Sequence, residues 1–312
     1  MLSWQANDRP IAAVVGGART GEVLYIWDVT DARDIKAASG GSSVTADELR
    51  RGRNPPKPKK LERARLVARG EAEDDDGDVK DLATRIASLE TQKAGKEVTL
   101  STGTFRILPM SVPGQREYLV MTGSSGSGKS YLAGQYCEVF AALWPEKPIY
   151  LFLGKAGPDA AYDKLLEDGL ASRVALGPEF ADPAAEPLEV TDFADSLVVF
   201  DDIDNLTDKK TLAAVEQLKK ALAELGRSHG VSLVECNHIA ANYNKTRVTL
   251  NEMTGIVLYR NGSAYHNRRL LREYCGLDPS QIARILGSPT RWVMVNKSHP
   301  RYALTETGAW IL

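Results

Sequence analysis

Lys129 and Ser130 close the run Gly-Ser-Ser-Gly-Ser-Gly-Lys-Ser at residues 123–130, which satisfies every fixed position of the pattern G-x-x-x-x-G-K-[ST]. Glycines in such a loop let successive backbone N–H groups turn inward around a polyphosphate, and a helix starting at the lysine presents its positive pole to the same anion. Lys129 then reaches the β- and γ-phosphates, and the Ser130 hydroxyl is a ligand for Mg²⁺. Gly123, Ser124, Ser125, Gly126, Ser127, Gly128, Lys129, Ser130 and Tyr131 are therefore expected to bind ATP with Mg²⁺.

Farther along, four apolar residues run into two carboxylates, Leu197-Val198-Val199-Phe200-Asp201-Asp202. A buried strand would deliver both acids to the carboxyl edge of a sheet, with Asp201 holding Mg²⁺ directly or through water and Asp202 polarising an attacking water as general base. A third polar end is Glu235-Cys236-Asn237-His238. The amide of Asn237 can donate to a γ-phosphate and accept from water, which suits a sensor, and His238 is a second candidate there. Phosphoryl transfer also calls for an arginine, often from a neighbouring subunit. Arg227 is the first choice, ahead of Arg247, Arg260, Arg268 and Arg269.

Elements that position these groups are legible as apolar runs. The phosphate loop lies between the run Glu117–Met121, read as a strand, and a helical pattern formed by Leu132, Tyr136, Val139, Phe140 and Leu143. Further strands are expected at 104–108, 148–153, 196–200, 231–236 and 256–259. Leu212, Val215, Leu218, Leu222 and Leu225 mark a helix stopping at Gly226. Strands alternating with helices predict an α/β fold of the P-loop NTPase (ASCE) type, with a largely parallel central sheet covered on both faces. ASCE ATPases insert one strand between the loop strand and the acidic strand.

Composition adds bounds. The chain has 312 residues, 43% of them hydrophobic, and a net charge of −2, so no general basic excess announces a polyanionic partner. No apolar stretch approaches a membrane span and the first residues lack a secretory core, which predicts a soluble intracellular protein. Cys137, Cys236 and Cys275 lack zinc-ligand spacing and read as reduced core residues. Three regions are expected: a small β element over 1–37, a charged linker or partly disordered arm over 38–96, and the ATPase domain over 97–312. Within the arm, a basic run (Arg50–Arg69) precedes an acidic one (Glu71–Asp78), and 79–93 has the spacing of one surface helix. The basic run is either a solvated linker or a phosphate contact.

A phosphate loop, a strand ending Asp-Asp, a helix closed by Gly-Arg, an apolar strand and a polar sensor occur here in the order that resembles the FtsK–HerA superfamily. Within it the likeness is to the poxvirus-type genome packaging ATPases, carried mainly by Leu222–Ile239, LAELGRSHGVSLVECNHI. It covers roughly Phe105 to the end of the chain, and more thinly beyond the sensor strand. The resemblance implies a homo-oligomeric ring that hydrolyses ATP and drives double-stranded DNA, without sequence specificity, into a preformed capsid. A capsid vertex protein would be its partner, and the virion, host cytoplasm or viral factory its place. The stretch Tyr265–Tyr274 then offers phosphate-contacting charge. This sequence departs from the family in three ways: Ser228 stands where a His often follows the arginine, the acidic pair ends in Asp202 rather than Glu, and the sensor falls on Asn237 or His238 rather than Gln.

Two other classes compete. A small-molecule or nucleoside kinase also opens with such a loop but needs an arginine-rich lid and an acceptor pocket. An ATP-binding scaffold without turnover would not need Lys129, Ser130, Asp201 and Asp202 together. The absence of an LSGGQ-like signature disfavours an ABC-type ATPase.

Overall fold

The computed structural model describes residues 1–6, 9–26, 49, 56–68, 72–93, 95–109, 116–182, 184–238, 243–260 and 263–312, without the side chains of 87–93 and 243–247. One sheet of ten strands organises the described chain. Its parallel part runs β8 (Ser172–Arg173), β7 (Ile149–Leu153), β9 (Leu197–Asp201), β10 (Ser232–Asn237), β6 (Tyr118–Thr122), β11 (Gly255–Tyr259). Four antiparallel strands extend it: β12 (Trp292–Asn296), β13 (Tyr302–Thr305), β14 (Gly308–Ile311) and β4 (Glu97–Thr99). The expected α/β fold with a largely parallel sheet is present. β10 lies between the loop strand β6 and the acidic strand β9, the inserted strand of the ASCE order.

Side chains alternate across this sheet because successive residues of a strand face opposite ways. In β6, Leu119 and Met121 pack into one core while Tyr118 and Val120 pack into the other. The first core is covered by α3 (Lys129–Leu143), through Leu132, Tyr136, Cys137 and Phe140, and by the short α4 (Asp163–Glu167), through Leu165. The second is covered by α5 (Lys209–Leu225), α6 (Tyr243–Glu252), α7 (Ala264–Glu273) and α8 (Pro279–Leu286). All three cysteines are buried and free, as the core reading expects.

α5 begins at an Asp208 cap, whose carboxylate accepts from Thr211 N at 2.7 Å. It ends as expected at Gly226, but that glycine keeps right-handed backbone and the chain continues in a 3₁₀ turn to His229. The left-handed reversal comes at Gly230, φ 68°. The last carbonyls of α5 are taken by the buried Arg116 guanidinium, which donates to Leu222 O at 2.6 Å and to Ala223 O.

β1 (Leu2–Ser3), β2 (Pro10–Val15) and β3 (Val23–Ile26) form a second sheet of order β1-β3-β2-β5, completed by β5 (Thr104–Ile107). The N-terminal strands thus pair with a strand lying beyond the charged region, a contact no local pattern announces. Within that region α1 (Pro58–Ala68) and α2 (Gly77–Lys93) bury Leu61, Ala64, Val79, Leu82, Ala83 and Ile86 together with Leu49. The opposed charge runs meet: Lys60 Nζ lies 2.8 Å from Asp78 and 3.6 Å from Asp76, and Arg63 lies 2.8 Å from Asp74. Each run neutralises part of the other, while the buried apolar cluster joins the two helices. The rest of the basic run, residues 50–55 and 69, lies outside the described residues.

Candidate active site

β6, β9 and β10 are parallel and in register, so their carboxyl ends reach one edge together: Asn237 pairs with Thr122, and Cys236 with Asp201. The phosphate loop leaves β6 at that edge. Gly128, at φ 102°, caps α3 in left-handed backbone, which a side chain would strain. Lys129 is buried, its ammonium donating to the carbonyls of Gly123 (3.0 Å) and Ser124 (3.1 Å) within its own loop.

Asp201 and Asp202 share this edge in unlike surroundings. Asp201 follows Leu197 and Val199 on the α3 face, where one carboxylate oxygen accepts from Tyr162 Oη at 2.9 Å. Its other oxygen, Oδ1, is buried with no partner, as is the Ser127 hydroxyl in the loop. Burial pushes the Asp201 pKa above the ordinary carboxylate value, with the Ser130 and Tyr162 hydroxyls acting against it and the Asp202 charge adding to it. A carboxylate that faces the Ser130 hydroxyl and keeps one buried oxygen without a donor suits a divalent cation. Among the described residues no group of three or more His, Cys, Asp or Glu forms a metal cage. Mg²⁺ needs none, since it takes one or two protein oxygens and completes its shell with phosphates and water. Ser130 and Asp201 are the residues that would hold it.

Asp202 leaves the strand in left-handed backbone, φ 54°, a conformation that costs a non-glycine residue free energy and turns its side chain toward the loop mouth. One oxygen accepts from His238 Nε2 at 2.7 Å and the other from Lys155 Nζ at 2.9 Å. Burial alone would raise the Asp202 pKa, but the hydrogen bond and charge of Lys155, then His238 and Lys129, hold it below the ordinary value. Gly154 makes this approach possible: a Cβ there would stand 1.9 Å from Asp202 O.

The sensor strand differs from the reading at Asn237. Val234 and Cys236 face the α3 layer, so Leu233, Glu235 and Asn237 face α5. The Asn237 amide accordingly donates to Glu235 Oε1 at 3.0 Å, a buried carboxylate also held by Lys219 (2.7 Å) and Tyr118 Oη (2.6 Å). His238 is the residue brought to the loop. With its proton on Nε2 for Asp202, its Nδ1 faces the Lys129 ammonium at 3.5 Å.

Arg227 is not brought to this edge. It lies exposed on the turn before β10, so the length of the strand, about 17 Å, separates it from the loop of its own chain. Arg260, at the end of β11, is on the loop's edge and exposed. Arg268 and Arg269 are on α7, Arg269 paired with Glu273 at 2.8 Å. Arg247 is on α6 and its side chain lies outside the described residues. Tyr131 projects from the first turn of α3, 62% exposed. Sequence reasoning missed Lys155, Tyr162 and Arg291. Lys155 had a signal, its place just past the expected strand 148–153; Tyr162 and Arg291 had none.

No protein-family model matches the chain. It is 28% identical over 222 residues to the uncharacterized protein V3 of Sputnik virophage, covering 70% of this chain and 86% of that one. Among solved structures, the cytoplasmic domain of the type VII secretion ATPase EccC of Thermomonospora curvata is similar at 16% identity and TM-score 0.45 over 67% of this chain, which spans only 28% of that protein. The genome packaging NTPase B204 of Sulfolobus turreted icosahedral virus 2, with bound ATP-gammaS, gives 12% and 0.36, covering 58% of this chain and 90% of that one. The pCW3 conjugation coupling protein TcpA gives 12% and 0.42 over 95% of this chain and 76% of that one. The first of these structures is named an ATPase and the second an NTPase. No helix among the described residues is long and apolar enough to cross a membrane.

Proposed function

We propose that this protein is an ATP-hydrolysing motor of the FtsK–HerA type that works as an oligomeric ring and moves double-stranded DNA, as a viral genome packaging ATPase does. The observation that carries the hydrolytic part is Asp202, held at the loop mouth between Lys155 and His238 and beside Lys129. An ionised carboxylate at that place can accept a proton from water lined up with the γ-phosphate. Lys129 steadies the β- and γ-phosphates, and His238, in contact with both Lys129 and Asp202, is the γ-phosphate sensor in preference to Asn237. Mg²⁺, when bound by Ser130, Asp201 and the nucleotide, would neutralise charge on the phosphates.

The ring is supported by the place of Arg227. An arginine at the amino edge of its own sheet cannot reach its own nucleotide but is free to meet a neighbour's. DNA contact is supported by α7, where Tyr265, 70% exposed, and Arg268, Arg269 and Arg272 line an open groove of about 780 Å³ against α8. Such a surface offers charge to phosphates and no pattern for reading bases. The ATPase unit is residues 97–312 with β1–β3 packed on it through β5. A capsid vertex protein is the partner this reading requires, with action in the virion or the viral factory.

ATP hydrolysis measured with and without duplex DNA tests the proposal. A translocase accelerates with duplexes of any sequence, a kinase responds to an acceptor molecule instead, and a scaffold responds to neither. Lys129→Ala serves as the inactive reference, expected to lose turnover because it removes the charge facing the β- and γ-phosphates. Mixing Arg227→Ala with Asp202→Asn subunits then tests the ring, since some interfaces would pair an intact arginine with an intact carboxylate. If no ratio restores hydrolysis while both variants assemble, Arg227 does not act across an interface.

A further inference from the structure

Resting on the nucleotide-binding part of that reading, we infer that Arg291 is a phosphate-contacting residue, gripping the α- and β-phosphates from the side of the loop opposite Asp202 and His238. The strand order sets up the division. β6 emits the loop; β9 and β10 lie on one side of it and bring Asp202 and His238, while β11 and β12 lie on the other. A nucleotide with its γ-phosphate at Lys129, Asp202 and His238 must run its α-phosphate and sugar toward β11 and β12.

Arg291 stands there. It directly precedes β12, whose Trp292 pairs with Tyr259 at the end of β11, so both residues sit at the carboxyl edge of the parallel strands. Its backbone is fixed from two directions: its carbonyl accepts from Arg260 N at 3.1 Å, and its N–H donates to Glu306 Oε2 at 2.8 Å. Its guanidinium Nη2 lies 3.0 Å from where a Cβ on Gly128 would be, and Tyr259 Oη donates to Gly128 O at 3.0 Å beside it. The guanidinium therefore occupies the side of the loop that a side chain on Gly128, the cap of α3, would fill.

Most charges around the loop are already matched. Lys129 is held by loop carbonyls, and Lys155 and His238 by Asp202. The Arg291 side chain is exposed and, among the described residues, has no ion pair or hydrogen bond. A planar guanidinium with free donors, against the loop that cradles the α- and β-phosphates, matches phosphate oxygens in charge and geometry. The antiparallel extension of the sheet thereby acquires a role: it carries a cation to the nucleotide.

Titrating Mg²⁺ with ADP or ATP into wild type, Arg291→Ala, Arg291→Lys and Lys129→Ala tests this. Arg291→Ala should bind ADP and ATP about 10- to 100-fold more weakly, both by the same factor, because the contact precedes the γ-phosphate. Arg291→Lys should recover part of the loss. The nucleotide-free Tm of both variants should match wild type, since the side chain is exposed. Unchanged ADP affinity, or a loss confined to ATP, overturns the inference while leaving the phosphate loop standing. Wild-type protein that binds neither nucleotide overturns the reading beneath it.

Discussion

The two edges of the same sheet treat buried charge in opposite ways. At the amino edge, Arg116 closes the last turn of α5 and the neighbouring Glu117 accepts from Tyr136 Oη at 2.6 Å, tying β6 to α3. At the carboxyl edge, Asp201 keeps a buried oxygen without a partner, and Asp202 adopts left-handed backbone between two bases. A buried polar group stabilises a fold only when its hydrogen bonds are complete. The first edge meets that condition; the second leaves it for a ligand to meet. Substitutions at the carboxyl edge should therefore change chemistry, and those at the amino edge stability.

A large effect on turnover is expected from Asp202→Asn. Its shape and Asp201 remain, but the acceptor for a proton is gone. Turnover should fall about 10²- to 10⁴-fold while ATP still binds. Single-turnover hydrolysis alongside equilibrium binding measures both; normal turnover would assign water activation to another residue.

Arg116→Ala should do the reverse. The final carbonyls of α5 lose their donors in a buried place, a cost of about 2–3 kcal/mol in unfolding by urea, with hydrolysis per folded molecule unchanged. A loss of activity exceeding the loss of folded protein would mean that the amino edge reaches the site.

The legibility of these two edges was unequal. Residues 123–130 declare themselves because a phosphate loop is contiguous: chemistry and positioning belong to one stretch. β6, β7, β9, β10 and β11 were visible because a strand buried on both faces is an uninterrupted apolar run. Contacts between distant segments were not visible. Neither β2 nor β5 carries a mark of its partner, and the strands after β11 were not read, although Trp292–Val295 is apolar throughout. Asn237 is a different case, since its position was available in principle. Val234 and Cys236 alternate with Glu235, so period two turns Asn237 away from the α3 face that carries Asp201. Lys155 and Arg291 depend on the order and register of strands far apart in sequence, which no local pattern encodes.

A smaller effect separates function from stability within the carboxyl edge itself. The Asp201 pKa is raised in the folded protein, so the fold holds that proton more tightly than the unfolded chain does. The associated stability is present at acid pH and is lost as pH rises through the folded pKa, leaving the ionised group a burden at neutral pH. Asp201→Asn removes that charge. The nucleotide-free protein should gain about 1 kcal/mol, seen as a higher Tm, while Mg²⁺-dependent hydrolysis is lost. A lower Tm would mean that the carboxylate is already satisfied without a cation.

The smallest expected effect is a shift along the pH axis, and it separates Asp202 from its neighbour most finely. Asp202 acts as a base only when ionised, so activity falls as pH drops through its pKa. Burial favours the protonated form, and Lys155, 2.9 Å away, is the first of the groups that outweigh it. In Lys155→Ala, His238 and Lys129 remain but the strongest opposing partner is gone, so the Asp202 pKa must rise. The acid limb of the kcat/KM profile should then move to higher pH, with the alkaline limb in place, and Lys155→Arg should return it toward wild type. The direction is the discriminating feature. A Lys155 that only braced the β7 end would lower activity equally at every pH, whereas a cation held against Asp202 in the working enzyme must move one limb alone.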